Sequence, residues 1–568
     1  MYLPEIWGNG MQHKIFFEKR LPLYLLGLLL LIALVTVFTQ ARNYGLTTDE
    51  AMHDSYGRST LRWYTTLGKD RSFLTYPPED YEPEHGAIFD VVVAAAQHVF
   101  HNQWDTEAII TGLTGVLGVV AIALCGFELG GWWFAFLAAL SLWLYPRYFG
   151  AIFNNPKDIP FATANTFVLW SVLRLLKRWG KGNSSARDSF LLAFFLAVAV
   201  SLRANAVVWY GILALIAGGW WLLNARRASK EQKLAWAVKQ QIIAAGIIAA
   251  GSLFGTVLLW PYVFLNPFTN LYRALVVLAK YPWNGSVLYQ GKLLLAVDLP
   301  RTYAFVWLVI GSPPVLILLS GISLLLLCGW SLRKRALDPL MSLVVLAFVV
   351  PLGMIVGFHS VLYNGLRQFL FLVPPLILLA VYALQHLFAF CWRKKHLLLV
   401  AALALLTVGG YAWTAADMLV LHPYEYVYFS PLVGGVAGAN GEYEMDYWNT
   451  CQKAASQWLG QNYRSFVTSP SPTVQDKPIK FQYLTFLPAN FRAVKQNPDF
   501  LIDIAPFTPP QSMPQYQLIH TESVEGVLLC KVYVNTYAQK QPIQPFLWLE
   551  KRLGSAQPGF LAQNLLAG

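Results

Sequence analysis

Apolar residues along this chain fall in long uninterrupted runs, not in the striped spacing of a surface helix or the alternation of a half-buried strand. Crossing roughly 30 Å of hydrocarbon takes about 20 mostly apolar residues in a helix. Runs of about that length lie at 21–41, 106–127, 131–150, 159–176, 189–208, 207–223, 240–265, 303–330, 339–357, 369–390 and 397–415. They predict about 11 transmembrane helices, with the fifth and sixth merging around Trp209. A shorter stretch, Ala87–Phe100, is interrupted by Asp90, Gln97 and His98 and predicts an amphipathic helix lying in the interface.

Beyond residue 415 the long runs stop and Pro, Asn, Gln and acids become frequent. Asp446–Asn462 carries Tyr447, Cys451, Ala454 and Trp458 at helical spacing, while Phe481–Phe486, Phe500–Ile504 and Val527–Val534 read as short strands. The expected fold is an α-helical polytopic membrane protein with a small C-terminal α/β domain. Its expected domains are 1–415, with a first outer loop at 42–105, and an extracytoplasmic 416–568. No internal repeat or low-complexity tract is seen.

Charge supplies the sidedness. Lys14, Lys19 and Arg20 precede the first run, and further clusters follow the even-numbered ones. These are Arg174, Lys177, Arg178, Lys181 and Arg187; Arg226, Arg227, Lys230, Lys233 and Lys239; Arg333, Lys334 and Arg335; and Arg393, Lys394 and Lys395. Basic residues in short loops mark the cytoplasmic side. The N-terminus is therefore expected inside, with 42–105, 151–158, 266–302, 358–368 and 416–568 outside. The stretch before Leu21 is too polar, and the run after it too long, for a cleavable signal peptide.

Composition agrees with this reading. Of 568 residues, 56% are hydrophobic and 13% charged, against roughly a quarter charged in a soluble domain. The net charge of +12 would suit nucleic acid, but its carriers sit in short interhelical loops, so it reports topology instead. Cys125, Cys328 and Cys391 lie in or beside apolar runs; Cys451 and Cys530 lie in the polar tail, without CxxC spacing. A disulfide there fits an extracytoplasmic tail, and pairing stays open.

Chemistry concentrates on the outer side. Gly45-Leu-Thr-Thr-Asp49-Glu50-Ala-Met-His53-Asp54 follows the first run, close to the bilayer boundary where charge is costly. Phe153-Asn154-Asn155-Pro156-Lys157-Asp158-Ile-Pro160 is a tight link whose two prolines hold Lys157 and Asp158 in place. His85 and Asp90 add an imidazole and a carboxylate. Arg203, about two turns before the outer end of the fifth run, needs either an acidic partner or an anionic ligand. Arg367 opens the tenth run and suits bidentate phosphate contacts. Lys280, Lys292 and Arg301 are less specific cations on the same side. A carboxylate beside a hydroxyl can act as general base, and cations can stabilise a departing phosphate. No HExxH, P-loop or GxSxG occurs, and no nucleotide-binding fold is expected.

At motif level the chain resembles the GT-C superfamily of glycosyltransferases, in particular the bacterial protein-mannosyltransferase-like branch that includes the lipid A aminoarabinose transferases. The resemblance is carried by Thr48-Asp49-Glu50, Asn155-Pro156-Lys157-Asp158, Leu288-Tyr-Gln-Gly291, Leu299-Pro300-Arg-Thr-Tyr303, Gly365-Leu-Arg367 through Pro375, and His422-Pro-Tyr-Glu-Tyr426 through Gly435. It covers the chain from the first run to about residue 460. It implies a GT-C-like fold and inverting transfer from a polyprenyl-phosphate sugar outside the cytoplasmic membrane. Asp49 matches the expected base and Asp158 the supporting second-loop acid, and Glu50 beside the base is the third expected catalytic acid. Lys157, Arg203 and Arg367 are the candidate donor-phosphate ligands; His85, Asp90, Tyr363, His422 and Tyr426 are candidate cleft residues. Some relatives bind a divalent metal ion and others do not, so the metal stays open. The implied partners are a polyprenyl-phosphate sugar, membrane lipids and a glycan, lipid or protein acceptor, with no nucleic acid. The competing readings are a transporter or flippase of lipid-linked glycans, and a non-catalytic polysaccharide-assembly protein.

Overall fold

The computed structural model describes residues 12–538 apart from 76–81, 101, 180–185, 226–230, 280, 282, 335–337, 478–479 and 505–513. Of the basic positions in the sequence pattern, Lys181, Arg226, Arg227, Lys230, Lys280 and Arg335 lie outside the described residues. The chain divides into two compact units, Met1–Cys451 with Ser523–Leu529, and Gln452–Glu522 with Cys530–Gly568.

The first unit is helical. Its elements begin with α1 (Gln12–Gln40), α2 (Glu50–Thr65), α3 (Ile88–Val99), α4 (Gln103–Gly130), α5 (Trp132–Trp143), α6 (Pro146–Ala151) and α7 (Asp158–Trp179). There follow α8 (Ala186–Leu202), α9 (Val208–Ala225), α10 (Glu231–Leu259), α11 (Pro261–Leu265) and α12 (Pro267–Ala279). A two-stranded hairpin, β1 (Ser286–Tyr289) and β2 (Lys292–Leu295), precedes α13 (Tyr303–Ile310), α14 (Pro314–Lys334), α15 (Pro339–Gly357), α16 (Val373–Arg393), α17 (Leu397–Leu421) and the short α18 (Gly435–Ala439).

Each of the eleven predicted apolar runs carries helix, but several are broken. The breaks at Tyr145 (φ −92°, ψ 105°) and Trp260 (φ −130°, ψ 96°) each precede a proline that opens the next helix. A proline's ring disfavours the helical conformation at the residue before it. Gly311-Ser312-Pro313 likewise separates α13 from α14. The break at Arg203 (φ −150°, ψ 125°) has no proline; it ends α8 at Leu202. Arg203 therefore lies at a helix break and not inside a continuous span, as the apolar run had suggested. Among the described residues eight helices are long and apolar enough to cross a membrane: those built on α1, α4, α7, α10, α14, α15, α16 and α17. At 12, 17 and 18 residues, α5, α8 and α9 fall outside that set.

Small residues let the central helices approach, since apolar side chains gain little from one another in lipid. α4 packs on α7 and α5, and α8 on α10 and α7. A Cβ at Gly118 of α4 would stand 2.0 Å from Tyr148 Oη of α6, and that hydroxyl donates to Gly115 O at 2.9 Å. This contact locks α6, and with it the loop leading to α7, onto the bundle. At the other end of α7, buried Asp188 accepts from Arg174 Nε at 2.8 Å and pairs with Arg178 Nη1 at 2.9 Å.

The second unit carries a five-stranded sheet in the order β4–β3–β5–β7–β6, from β3 (Thr473–Gln475), β4 (Arg492–Val494), β5 (Phe500–Ile504), β6 (Tyr516–Val524) and β7 (Val527–Asn535). β3 runs parallel to both β4 and β5, and β5 antiparallel to β7. Positive φ at Glu525 and Gly526 makes the tight β6–β7 turn. Helix α19 (Gln452–Asn462) packs on β5, with Trp458 stacked on His520 at 4.0 Å. Cys451 and Cys530 are both disulfide-bonded, whereas Cys125, Cys328 and Cys391 are free thiols.

Two sequence expectations change here. Phe481–Leu484 is a helical turn, α20, and not a strand, because so short a stretch of mostly apolar residues does not distinguish the two. The helix expected from Asp446 begins only at Gln452: Asp446 takes the N–H groups of Thr450 (3.0 Å) and Cys451 (2.9 Å) and holds that segment in turns. β1–β2, β3, β4 and β6 were not read from the sequence.

Candidate active site

The first acid is presented by a turn. Glu50 Oε2 accepts from Thr47 N at 2.6 Å, which folds Glu50 inward until it is 2% exposed. Asp49 stands at the N-cap of α2 but makes no side-chain capping bond, so its carboxylate is turned to another partner. That partner is Arg367, whose Nη1 donates to Asp49 Oδ2 at 2.7 Å. Arg367 opens the 3₁₀ turn Arg367–Leu372 ahead of α16. Its guanidinium lies over the rings of Tyr363 (5.1 Å) and Trp448 (5.7 Å), and Tyr363 in turn stacks on Trp283 at 4.2 Å.

The second acid is fixed by its own loop. Asn155 Oδ1 accepts from Asp158 N at 2.8 Å, and Asn155 Nδ2 donates to Asp158 Oδ2 at 2.9 Å. Asp158 thus begins α7 with one oxygen held, and its other oxygen accepts from Arg203 Nη2. The break after α8 makes this contact, and Arg203 also lies over the Phe161 ring at 5.6 Å.

The two ion pairs face one cavity of about 350 Å³. Asp49, Lys157, Asp158, Arg203, Arg367, His85 and Tyr363 all line it, so seven of the residues singled out in the sequence meet in one place. Close backbone packing holds the parts together. A Cβ at Gly86, next to His85, would stand 1.6 Å from Ser201 O near the end of α8. Only glycine brings the His85 segment so near Arg203.

The remaining candidates stand behind the wall. Asp90 faces His53 Nδ1 at 3.5 Å, and His53 lines the cavity. Glu50 is absorbed by its turn. His422 Nδ1 faces Glu425 Oε1 at 2.8 Å, while Glu425 Oε2 accepts from Tyr44 Oη at 2.8 Å. Tyr426 Oη meets Asp446 and, at 2.9 Å, Thr450 Oγ1. These four do not line the cavity; Tyr426, through Asp446 and Thr450, braces the segment that brings Tyr447 and Trp448 to it. Lys292 and Arg301 are exposed elsewhere.

Sequence reasoning gave no role to Asn154, His53, Tyr281, Trp283, Asn364 and Gln368, which also line the cavity. Asn154 and His53 sat inside motifs chosen for their acids. Tyr281 and Trp283 lie in the outer segment 266–302, outside every motif singled out.

The electrostatics favour an anion. Three cations against two carboxylates leave one positive charge over. Burial works against ionisation of Asp49, but Arg367, by charge and hydrogen bond, then His53 and Lys157, hold its carboxyl down to about 2. His85 is pushed well below the usual imidazole range by burial and by Lys157, Arg203 and His53. It is neutral at pH 7. Burial pushes Glu444, which neighbours Arg367, up to about 7 against the Asn364 N–H and the Arg367 charge. A divalent cation does not suit this donor set. Both lining acids already face arginines, and among the described residues no group of three or more His, Cys, Asp or Glu side chains is placed to hold a metal ion.

No family model matches the chain, and no curated protein matches it. Solved structures do. The archaeal oligosaccharyltransferase AglB from Archaeoglobus fulgidus, in complex with an inhibitory peptide and a dolichol-phosphate, aligns over 87% of this chain at 14% identity and a TM-score of 0.49. This chain covers 62% of AglB. ArnT from Cupriavidus metallidurans, bound to undecaprenyl phosphate, aligns over 91% of this chain and 99% of its own, at 14% identity and a TM-score of 0.46. At that distance a functional reading has to come from the cavity itself.

Proposed function

We propose that this chain is a membrane glycosyltransferase that moves a sugar from a polyprenyl-phosphate donor to a lipid, glycan or protein acceptor, at the outer face of the cytoplasmic membrane. The observation that carries this reading is the meeting of Asp49–Arg367 and Asp158–Arg203 across one cavity. Two carboxylates and three cations supply a base and a phosphate cradle in the same space. The motif-level resemblance described above points the same way.

The chemistry is an inverting displacement. The acceptor oxygen forms a bond to the anomeric carbon as the bond from that carbon to the phosphate oxygen breaks. Asp49 takes the acceptor proton, and the polyprenyl phosphate leaves with its electron pair. Arg367, Arg203 and Lys157 stabilise the charge that grows on the leaving phosphate. An Asp held near 2 is a weak base while Arg367 engages it. A donor phosphate competing for Arg367 loosens that pair and raises the basicity of Asp49 when substrate is present. Asp158, held by Asn155 and Arg203, keeps the second cation in place. The basic-loop pattern supports the sidedness, with the 416–568 region outside.

The test is turnover of undecaprenyl phosphate carrying a radiolabelled hexose by purified protein supplied with envelope extract as acceptor. Label moving into acceptor, lost in Asp49→Asn with lipid binding intact, supports the reading. Movement of the lipid across proteoliposomes without label transfer would overturn it in favour of a flippase.

A further inference from the structure

Asn154 is the anomaly of the cavity wall. It follows α6, its backbone N–H donates to Ala151 O at 3.3 Å, and its side chain is 2% exposed. It lines the cavity, yet neither Nδ2 nor Oδ1 has a hydrogen-bond partner among the described residues. Its neighbour Asn155 contrasts with it, both amide atoms being spent on Lys157 and Asp158. Buried polar groups are almost always paired, and an exception calls for a cause. For Asn154 any partner has to come from what fills the cavity.

The chemistry of that partner follows from the amide. A carboxamide offers two N–H donors and an oxygen acceptor. A phosphate only accepts, so it would satisfy Nδ2 and confront Oδ1 with another oxygen; the arginines and Lys157 already serve it better. An ammonium only donates. A hydroxyl does both, and adjacent hydroxyls on a ring present donor and acceptor side by side. The ring of Trp283, stacked by one face on Tyr363 at the same cavity, suits by its other the apolar face of such a ring.

We propose that Asn154 reads the sugar: its carboxamide exchanges hydrogen bonds with neighbouring hydroxyls of the glycosyl group, while the arginines hold the phosphate. This rests on the cavity being a lipid-phosphate-sugar site. It makes Asn154 a specificity residue, distinct from the acids that do the chemistry.

Affinity separates the two ideas. Full-length protein in nanodiscs is titrated with bare undecaprenyl phosphate and with undecaprenyl phosphate carrying glucose, galactose or mannose. Wild type is expected to prefer at least one sugar-bearing lipid over the bare one. Asn154→Leu, close in shape, should lose about tenfold per hydrogen bond removed on that lipid, and bind the bare lipid within about twofold. Asn154→Ala, which cannot overpack, should do the same. The unliganded Asn154→Leu protein should melt no lower than wild type, since the substitution removes an unpaired buried amide. Equal weakening on all lipids, no weakening, a lower melting temperature, or no wild-type preference for any of the three sugars would overturn the assignment of Asn154 and leave the lipid-phosphate reading standing. Wild type binding neither kind of lipid would overturn both.

Discussion

Arg367 Nη1 lies 2.7 Å from Asp49 Oδ2 across 318 residues of sequence, and this pair joins the turn after the first helix to the turn before α16. One partner is a carboxylate without a capping role; the other is a guanidinium held between two aromatic faces. The pair is well placed to be opened by an anion, because a phosphate offers Arg367 the bidentate geometry that a single carboxylate oxygen does not.

Asp49→Asn should therefore lower the transfer rate by about 10²- to 10⁴-fold, the usual worth of a general base, while leaving lipid-phosphate affinity unchanged or higher. Single-turnover kinetics with a labelled donor, alongside a binding titration, reads both quantities. Retention of near wild-type turnover would remove Asp49 from the base role.

Arg367→Lys keeps the charge but loses the planar fork and its stacking on Tyr363 and Trp448. The expected outcome is a raised KM for the lipid donor, with a smaller fall in kcat. An unchanged KM would argue that Arg367 serves only to pair with Asp49.

Asp158 and Arg203 are 5% and 17% exposed at their side chains, so each depends on the other. Removing one partner of a buried pair costs about 3–5 kcal/mol, and removing both costs less than the two single losses added. A double-mutant cycle with Asp158→Asn and Arg203→Met, followed by thermal unfolding in detergent, measures the coupling. Additive losses would mean the contact carries no energy.

Gly86→Ala should be more damaging than its single methyl suggests. The new carbon would stand 1.6 Å from the Ser201 carbonyl oxygen, a rigid neighbour, so the His85 segment has to move off the end of α8. A loss of at least about 2 kcal/mol is expected from such overpacking, together with impaired transfer. Wild-type melting temperature and activity in this variant would contradict the packing.

Two carboxyls set opposite pH trends. Glu444 is raised in the fold to about 7 from an ordinary value near 4.5, so the folded chain binds more protons than the unfolded chain between those values. Stability contributed by its protonated form is present below the unfolded value and lost as pH rises through about 7, on the order of 3 kcal/mol in all. Asp49 is lowered to about 2, so its contribution is present above about 3.8 and lost as pH falls through about 2. Melting curves of wild type and Glu444→Gln between pH 4.5 and 8 check the first trend, and the variant should lack the decline at the upper end.

Much of the fold was legible in the sequence because lipid imposes a simple rule: backbone groups must be satisfied within the segment, and side chains must be apolar over its length. The apolar runs located the helices. Hydrophobicity alone passed over the breaks at Tyr145 and Trp260, which Pro146 and Pro261 mark in the sequence, and over the break at Arg203, which no proline marks. In the C-terminal unit the strands are three to nine residues long and lean on one another, so local pattern was a poorer guide.

The candidate site divides in the same way. By itself the sequence determined which acids and cations the chain has near its helix ends, because charge beside a bilayer is costly enough to be conspicuous. Only the tertiary structure decided which of them meet. Asp49 and Arg367 pair, Asp158 and Arg203 pair, and Asn154 is left facing the cavity unpaired, while Glu50, Asp90, His422 and Tyr426 turn into supporting networks. The physical reason is that a hydrogen bond needs its partner within about 3 Å. Chains hundreds of residues apart come that close only through helix packing, including the glycine contacts at Gly86 and Gly118.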